Sequence, residues 1–528
     1  MSKHPNFIVI HADQLRYDCV GSAGRRTGIY TPNIDSIGWQ GAVMDSCYST
    51  CPVCMPQRMS LLTGQLPVTH GLFTNVGVPY LPLDTTLPAE FRRGGYQTAL
   101  VGRNMHTYPT THPYGFEYYL PGDTSSELKA TSDAFFKYVR DNNPDDTGGF
   151  YGCGASNNSR VGTPFHLADH FHQTKWVVNR ALDFLENRDK VRPYLLFVGF
   201  CAPHSPHNPP AEYFNRYYYR DDLDEPYIGD WEVPPRHNGS VTSSYVNLTG
   251  EELRVARAGY YGSIAFMDSQ IGRLLGGPIG KNTYVLFTSD HGDLMGDHYM
   301  YQKSRAYEGS AHIPMHFMGP GIRDGMRLDA PVGWHDIMPT LLDFAGLPIP
   351  DSVDGKSMAG LLQGEQMKSE ESQNSGSSTW RSYIHGECLH ENKISEDRGM
   401  ESTKINLFFE KGSQFLTNGR RKYIWHTTTG TEQFFNLETD WKEQHNLAGL
   451  QEYEKEVSWW RGELVQILKN RPEGFSDGIH LIAGREPRKV GERVEQVCRL
   501  RKSQGFQLAY TAAPNPLDNL DYEDPHMS

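Results

Sequence analysis

Four apolar runs along the chain end in polar residues that can take part in chemistry. They are NFIVIHADQ at 6–14, QTALVGRNMH at 97–106, PYLLFVGFCAPHSPH at 193–207 and TYVLFTSDHGD at 283–293. Because such continuous apolar runs are typical of strands buried on both faces, they predict a mostly parallel sheet. Ligands of open α/β sheets bind beyond the carboxyl ends of the strands. The four polar endings therefore predict one shared crevice.

Helical periodicity and turn signals divide the rest of the chain. Helices are predicted from Thr174 to Asn187, from Glu251 to Leu275 and from Tyr453 to Leu468. The polar stretch 364–379 is poor in large apolar residues and predicts a linker or surface loop. Residues 406–438 contain strand-like runs broken by Asn-Gly and Thr-Gly, which predicts a small antiparallel sheet.

These elements predict two parts. Residues 1–375 are expected to form an α/β catalytic domain with a large, mostly parallel central sheet flanked by helices. Residues 376–528 are expected to form a C-terminal subdomain with a small antiparallel sheet, a helix and an irregular tail.

Composition narrows the class of protein. The chain has 528 residues, of which 38% are hydrophobic, so it can form a sizeable core and is not globally disordered. Its 50 Lys+Arg against 63 Asp+Glu give a net charge of −13, which argues against nucleic acid as a partner. That balance leaves open a local basic pocket for an anionic group.

No apolar run approaches the roughly 20 residues that cross a bilayer, so no membrane partner is expected. The N-terminus has the pattern of a first strand and lacks that of a secretory signal. As written, the chain is expected in the cytoplasm, or in the periplasm or medium if an export signal has been removed.

The eight cysteines are too few for a disulfide scaffold, and only Cys51 and Cys54 form a C-x-x-C pair. This pair fits a thiol redox motif or half of a zinc site. The zinc interpretation lacks a second C-x-x-C or a nearby H-x-x-x-H.

Residues 54–64 read CMPQRMSLLTG and resemble the signature of the sulfatase family, C-x-P-x-R-x-x-x-L-T-G, within the alkaline phosphatase superfamily. Gln57 departs from the more usual Ser or Ala. The resemblance extends over most of the chain and implies an alkaline-phosphatase-like fold. It includes TPNID at 31–35, SDHGDLMGDH at 289–298, HDIMPTLLDFAG at 335–346 and GRRKYIWH at 419–426.

The resemblance implies that a maturation enzyme oxidises Cys54 to formylglycine. One hydroxyl of the aldehyde hydrate attacks sulfur and forms a covalent sulfo-enzyme. The second hydroxyl can then lose its proton and expel sulfate, which regenerates the aldehyde. A plain serine or cysteine ester would have to be hydrolysed by water.

A divalent metal is also implied, with Asp13, Gln14, Cys54, Asp290 and His291 at the family's ligand positions. Mostly oxygen ligands favour Ca²⁺, with Mg²⁺ as an alternative. His291 stands where the family often has Asn, and this imidazole makes Mn²⁺ or another transition metal a further candidate. Gln14 replaces a frequent Asp, which lowers the negative charge of the site.

The remaining matches concern a tetrahedral anion. Arg58 lies four residues after Cys54, on the same face if a helix begins there, where it can hydrogen-bond the formylglycine oxygens. Lys303 matches the lysine that contacts sulfate, and His204 matches the histidine that protonates the departing alkoxide. Arg103 and His106 stand where the family has Gly-Lys-x-His, with Arg for Lys and one additional residue before the histidine. Arg103 can still bind an anion through two N–H groups.

The leading hypothesis is a sulfuric ester hydrolase that acts on a small-molecule or saccharide sulfate ester, with a carbohydrate preferred. The first alternative is a phosphonate monoester or phosphodiester hydrolase, because that sister group resembles the chain in its Asp-Gln and Asp-His pairs. A third hypothesis, from a different class, is a thiol redox protein that uses Cys51 and Cys54.

Overall fold

Two sheets and their helices can be traced in the computed structural model, which describes residues 4–26, 28–75, 83, 85–106, 112–123, 133–143, 149–235, 237–364, 380–390 and 410–503. The strands are β1 (Asn6–Asp13), β2 (Gly41–Met44), β3 (Gln97–Gly102), β4 (Tyr118–Pro121), β5 (Tyr194–Pro203), β6 (Thr283–Ser289), β7 (Met315–Met318), β8 (Met326–Leu328), β9 (Ile384–Leu389), β10 (Gly412–Thr417), β11 (Arg421–His426) and β12 (Glu432–Asn436). The α-helices are α1 (Pro32–Trp39), α2 (Cys54–Thr63), α3 (Pro67–His70), α4 (Leu87–Arg93), α5 (Ala134–Asn142), α6 (Gln173–Asn187), α7 (Ala211–Tyr218), α8 (Gly250–Leu275), α9 (Glu308–Ala311), α10 (Ile337–Ala345), α11 (Ala359–Leu362), α12 (Glu454–Leu468) and α13 (Glu492–Ser503).

The larger sheet has eight strands in the order β4-β3-β5-β1-β6-β7-β2-β8. The pairs on the β4 side of β6 are all parallel, and β7 runs antiparallel to both of its neighbours. The four apolar runs that predicted strands form β3, β5, β1 and β6, which lie next to one another. The prediction of a mostly parallel α/β sheet is therefore confirmed, and its polar endings share one edge.

Helices cover both faces of this sheet. Along β1, Ile8 and Ile10 pack into one core cluster with residues of α6 and α8. Phe7 and Val9 point the other way, into a cluster with residues of α2, α4 and α10. Because β1 is buried on both faces, its sequence is apolar at nearly every position until the strand ends.

The three predicted helices are confirmed as α6, α8 and α12, with bounds that differ from the prediction by one residue. In the part of the chain that the structure describes, no helix is both long and apolar enough to cross a membrane.

The predicted small antiparallel sheet is also confirmed. β12, β11, β10 and β9 pair in that order, each antiparallel to its neighbour. The chain then returns to the larger sheet, because Val490 pairs with Leu72 and Val494 packs into the core cluster that contains α2. Residues 365–379 of the predicted linker, which include the boundary at 375, and residues 406–409 of the predicted strand region lie outside the described ranges. The domain boundary stays a prediction.

Candidate active site

Two carboxylates lie side by side where β1 and β6 end. The strands are parallel and pair Ala12 with Ser289, so Asp13 and Asp290 follow at the same edge. Both side chains are fully buried. The backbone N–H of Gln14, in the left-handed region at φ 73°, donates to Oδ1 of Asp290 at 3.1 Å and ties the two strand ends together.

Cys54 is the first residue of α2, and the thiol faces this edge. The N–H of Met55 donates to Oδ1 of Asn75 at 2.9 Å, which satisfies one of the helix's first backbone donors. Sγ of Cys54 lies 3.2 Å from Nε2 of His291 and 3.1 Å from Nζ of Lys303. Although burial alone would raise it, these two neighbours hold the pKa of the Cys54 thiol below its ordinary value.

Four buried side chains bring metal-type donor atoms together. One atom each from Asp13, Cys54, Asp290 and His291 lies within 4.8 Å of all the others. Two ligands on opposite sides of one Ca²⁺ are about 5 Å apart, so a single divalent ion fits among these atoms. Apart from Gln14, the residues that the sequence proposed as ligands are therefore placed in one cluster.

The orientation of His291 supports a cation at this place. Its Nδ1 lies 3.0 Å from the carbonyl oxygen of Gly292, and its Nε2 lies 3.7 Å from Oδ1 of Asp13 and 3.5 Å from Oδ1 of Asp290. Although burial alone would lower it, the charge of Asp290 raises the pKa of His291 above its ordinary value, so this place favours a positive charge. With Nδ1 donating to Gly292, Nε2 faces the two carboxylates, which is the usual orientation of a histidine that binds a metal.

Gln14 occupies a different position from the four clustered residues. Its Oε1 accepts a hydrogen bond from Nζ of Lys303 at 2.9 Å, and its Nε2 donates to Asp293. The amide thus joins the lysine to the strand end that carries Asp290. The ligand role of Gln14 stays a prediction.

Arg58 lies one turn after the thiol on α2 and is fully buried. Its Nη2 is 2.9 Å from Oδ2 of Asp13 and 3.0 Å from Oδ2 of Asp290, and Nη1 donates to the carbonyl of Asn104. Burial alone would raise the pKa of Asp13, but Arg103 above all, together with Arg58, holds that pKa well below its ordinary value. Asp13 is therefore an ionised side chain.

Arg103 and His106 follow β3 at the same edge. Nε and Nη2 of Arg103 lie 2.8 and 2.6 Å from Oδ2 of Asp13, and Nη1 contacts Asp123. His106 is partly buried, with its Nε2 3.8 Å from Oδ2 of Asp123. Burial and the charge of Arg103 lower the pKa of His106 well below its ordinary value, so the ring is neutral. Arg103 is thus a bridge between two carboxylates.

His204 follows β5 and is anchored to the same strand end. Its backbone N–H donates to the carbonyl of Asp13 at 3.0 Å, and its Nδ1 lies 2.7 Å from the carbonyl of Ser205. Burial and the charge of Lys303 lower the pKa of His204 well below its ordinary value. The ring is therefore neutral, with Nδ1 as the protonated nitrogen that donates to Ser205.

The two cysteines of the C-x-x-C pair have separate environments. Both are free thiols. Sγ of Cys51 donates to the carbonyl of Phe73 at 3.3 Å, away from the partners of Cys54. Burial raises the pKa of Cys51 well above its ordinary value, which disfavours the thiolate that redox exchange needs.

Three side chains at this edge were not predicted from the sequence. Asn75 lies in a segment without a recognisable pattern, and nothing marked it. Asp293 is part of the DHGD segment, whose first two residues alone were considered. Asp123 follows the strand-like YYLP, so a search for polar residues after every short apolar run could have found it.

Comparisons with known proteins identify the family of this chain. A family model for sulfatases matches residues 5–347, and one described as N-sulphoglucosamine sulphohydrolase, C-terminal, matches residues 296–404. An arylsulfatase of Clostridium perfringens is 36% identical over an alignment of 502 positions, gaps included, that covers 91% of this chain and 98% of that protein. An N-acetylglucosamine-6-O-sulfatase of Bacteroides thetaiotaomicron is 23% identical over an alignment of 544 positions, gaps included, that covers 90% of this chain and 88% of that protein.

Solved structures share the fold. A phosphonate monoester hydrolase of Agrobacterium radiobacter superposes with a TM-score of 0.70 at 23% identity, covering 88% of this chain and 95% of the other. A protein in complex with its substrate D-glucosamine-2-N,6-O-disulfate superposes with a TM-score of 0.67 at 20% identity, covering 89% and 99%.

Proposed function

The chain belongs to the sulfatase family, whose enzymes hydrolyse sulfate esters, and we propose that it cleaves a carbohydrate sulfate monoester through formylglycine made from Cys54. The observation that carries the proposal is the position of Cys54. Its Sγ lies within hydrogen-bonding distance of His291 and Lys303 and is one of the four donor atoms of the buried cluster.

The chemistry begins with maturation of Cys54 by a formylglycine-generating enzyme. One hydroxyl of the aldehyde hydrate attacks the sulfur of the ester, and the bond from sulfur to the alcohol oxygen breaks. The second hydroxyl then loses its proton, its electron pair forms the aldehyde carbonyl, and the bond from carbon to the sulfate oxygen breaks. His106 is our candidate for the base, because the ring is neutral and lies beside this site.

Asp13, Asp290 and His291, with the residue derived from Cys54, would hold one divalent ion, Ca²⁺ in first place and Mg²⁺ or Mn²⁺ as alternatives. When bound, such an ion supplies acidity to the hydrate and polarises a sulfate oxygen. Arg58 orients both carboxylates through its contacts at 2.9 and 3.0 Å. Its proposed role is therefore to hold the two ligand carboxylates in position.

Lys303 is the cation best placed to meet the sulfate. Its Nζ already lies beside Sγ of Cys54, where the new bond to sulfur would form. Burial alone would lower the pKa of Lys303, but Cys54 and Asp13 raise it above its ordinary value, so the ammonium group stays charged. A fixed positive charge at the reacting centre stabilises the charge that develops on the sulfate oxygens.

His204 is the proposed proton donor to the departing alcohol. Its ring is neutral without substrate, because burial and Lys303 disfavour its charge. A bound anion places a negative charge next to the ring, which raises the pKa of His204 in the complex. The imidazolium can then protonate an unactivated sugar alkoxide, which is a poor leaving group without a proton.

The carbohydrate substrate is proposed from the relatives, which include an N-acetylglucosamine-6-O-sulfatase and a protein solved with a glucosamine disulfate. The phosphonate monoester hydrolase among the solved structures makes an aryl phosphonate monoester the necessary comparison substrate.

The test is turnover of an aryl sulfate and a panel of sulfated monosaccharides by the matured enzyme, with mass analysis of the peptide that contains Cys54. We expect an aldehyde in place of the thiol and faster cleavage of sulfate than of phosphonate. Cys54→Ala should abolish turnover, whereas Cys51→Ser should retain it, because the thiol of Cys51 donates to the carbonyl of Phe73, away from the partners of Cys54. Full turnover by Cys54→Ala would refute the mechanism, and a disulfide joining Cys51 to Cys54 would favour the redox hypothesis.

A further inference from the structure

Asp123 is a carboxylate of the site to which none of the steps above gives a role. β4 pairs in parallel with β3, with Pro121 opposite Gly102, so Asp123 leaves its strand beside Arg103. One carboxylate oxygen contacts Nη1 of Arg103, and the other lies 3.8 Å from Nε2 of His106. Its side chain is only 14% exposed.

The backbone fixes this carboxylate in place. The N–H of Gly122 donates to the carbonyl of Gly102 at 2.8 Å and continues the pairing of the two strands. The N–H of Asp123 donates to Oδ2 of Asp133 at 2.7 Å, and Asp133 also caps the N-terminus of α5. The backbone that carries the Asp123 carboxylate is therefore held in place from both the sheet and a helix.

This charge changes the balance of the site. The cations around the nucleophile are Arg58, Arg103 and Lys303, and the carboxylates paired with them are Asp13, Asp290 and Asp123. The formal charges of these described residues cancel, three against three. One divalent ion would then leave the site with two positive charges.

A site of modest positive charge can discriminate between anionic substrates by their charge. Sulfate monoesters, phosphonate monoesters and phosphodiesters all carry one negative charge, whereas a phosphate monoester above its second pKa carries two. Each additional negative charge on the substrate meets the repulsion of Asp123. Sulfate and phosphate esters have the same tetrahedral shape, so charge is the property by which the site can distinguish them.

We infer that Asp123 determines the charge preference of this site, favouring monoanionic esters over dianionic phosphate monoesters. The inference rests on the proposed function for the identity of the site, but it concerns substrate charge and holds for whichever monoanion is cleaved. Asp123 acts through Arg103 and through space, so it is a specificity-determining residue and takes no part in bond breaking.

The experiment measures kcat/KM of wild type and Asp123→Asn for a 4-nitrophenyl sulfate, a 4-nitrophenyl phosphonate monoester and 4-nitrophenyl phosphate, at about pH 8, above the second phosphate pKa of about 6. We expect the ratio of phosphate monoester to sulfate turnover to rise about tenfold in the variant, as loss of one nearby charge predicts. Binding of inorganic phosphate, measured by calorimetry, should tighten in the same direction.

Two further variants serve as controls. Glu117 directly precedes the first residue of β4, at the end of the strand away from Asp123, and pairs with Arg92 and Arg192. Glu117→Gln removes one negative charge there and should leave the ratio of phosphate monoester to sulfate turnover unchanged. Asp123→Glu keeps the charge and should retain the wild-type ratio. If Asp123→Asn does not fold, Asp123→Ser replaces it in the same assays.

The outcomes separate the two proposals. An equal fall in all activities with a constant ratio would show that Asp123 only positions Arg103, and would overturn the inference. If wild type cleaves the phosphonate and leaves the sulfate intact, the proposed sulfatase function fails. The charge preference is then decided by the ratio of phosphate monoester to phosphonate.

Discussion

Nζ of Lys303 lies 3.1 Å from Sγ of Cys54, although 249 positions separate the two residues in the sequence. The segment that carries the lysine is held by the C-terminal part of the chain. The hydroxyl of Tyr307 donates to Oε1 of Gln433 at 2.8 Å, and the N–H of Glu308 donates to a carboxylate oxygen of Glu443 at 2.7 Å. The small antiparallel sheet thus contributes to the site by fixing the loop that presents Lys303.

Replacement of Lys303 by Met should lower kcat/KM for an aryl sulfate by about 10²–10³-fold, because a preorganised charge at the reacting centre is lost. Steady-state kinetics of the matured enzyme measure this effect. Lys137→Met is the matched control, since Lys137 is 62% exposed and pairs with Asp141 on the surface of α5. Equal kinetics of the two variants would show that Lys303 does not contact the anion.

Much of this arrangement could be predicted from the sequence. A strand buried on both faces has an apolar run that stops where its polar end reaches a ligand, so Asp13, Asp290 and His204 were recognisable one strand at a time. Cys54 and Arg58 lie on one short helix, and their spacing is local. Such features need no knowledge of which strands are neighbours.

The residues that escaped prediction depend on pairing between distant segments. Asp123 reaches the site because β4 pairs with β3, and β4 is a short edge strand whose neighbour its sequence does not reveal. Gln14 was predicted at this edge, but its partners were not, because the direction of its amide is set by Asp293 and Lys303. Charge pairs of this kind are decided by tertiary packing, for which the pattern of apolar residues carries no signal.

Removal of the divalent ion by a chelator should abolish turnover and lower the melting temperature, because Asp13 and Asp290 then repel each other in a buried site. Asp290→Asn should reproduce the loss of metal, measured by elemental analysis of the purified protein. Asp297→Asn is the control, since Asp297 is equally buried and paired with Arg16 but lies outside the donor cluster. A full complement of metal in Asp290→Asn would contradict the assignment of this ligand.

Replacement of Lys422 by Met should reduce the free energy of unfolding by about 3–5 kcal/mol, because it leaves buried carboxylates without their cation. Nζ of Lys422 is fully buried and lies 2.9 Å from carboxylate oxygens of both Glu308 and Glu443. Urea unfolding measures the change. Lys411→Met should cost at most about 1 kcal/mol, since Lys411 is 56% exposed and its partner Glu486 is also on the surface.

Stability should fall as the pH drops from about 6.5 toward 3, in part because of His172. Burial lowers the pKa of His172 to about 3 in the folded chain, so between these values the unfolded chain binds a proton that the folded chain does not. The contribution of His172 to stability is therefore fully present above the ordinary pKa. As the pH falls below that pKa, a single such group lowers the free energy of unfolding by up to about 1.4 kcal/mol for each pH unit. In the wild type, the N–H of Thr174 donates to Nδ1 of His172 at 3.2 Å. His172→Asn retains an acceptor for this N–H but cannot bind the proton, so it should flatten the pH dependence of urea unfolding between about pH 6.5 and 3. His166→Asn, at an exposed position of the same segment, is the control. An unchanged slope in His172→Asn would show that the ring is already protonated in the folded protein.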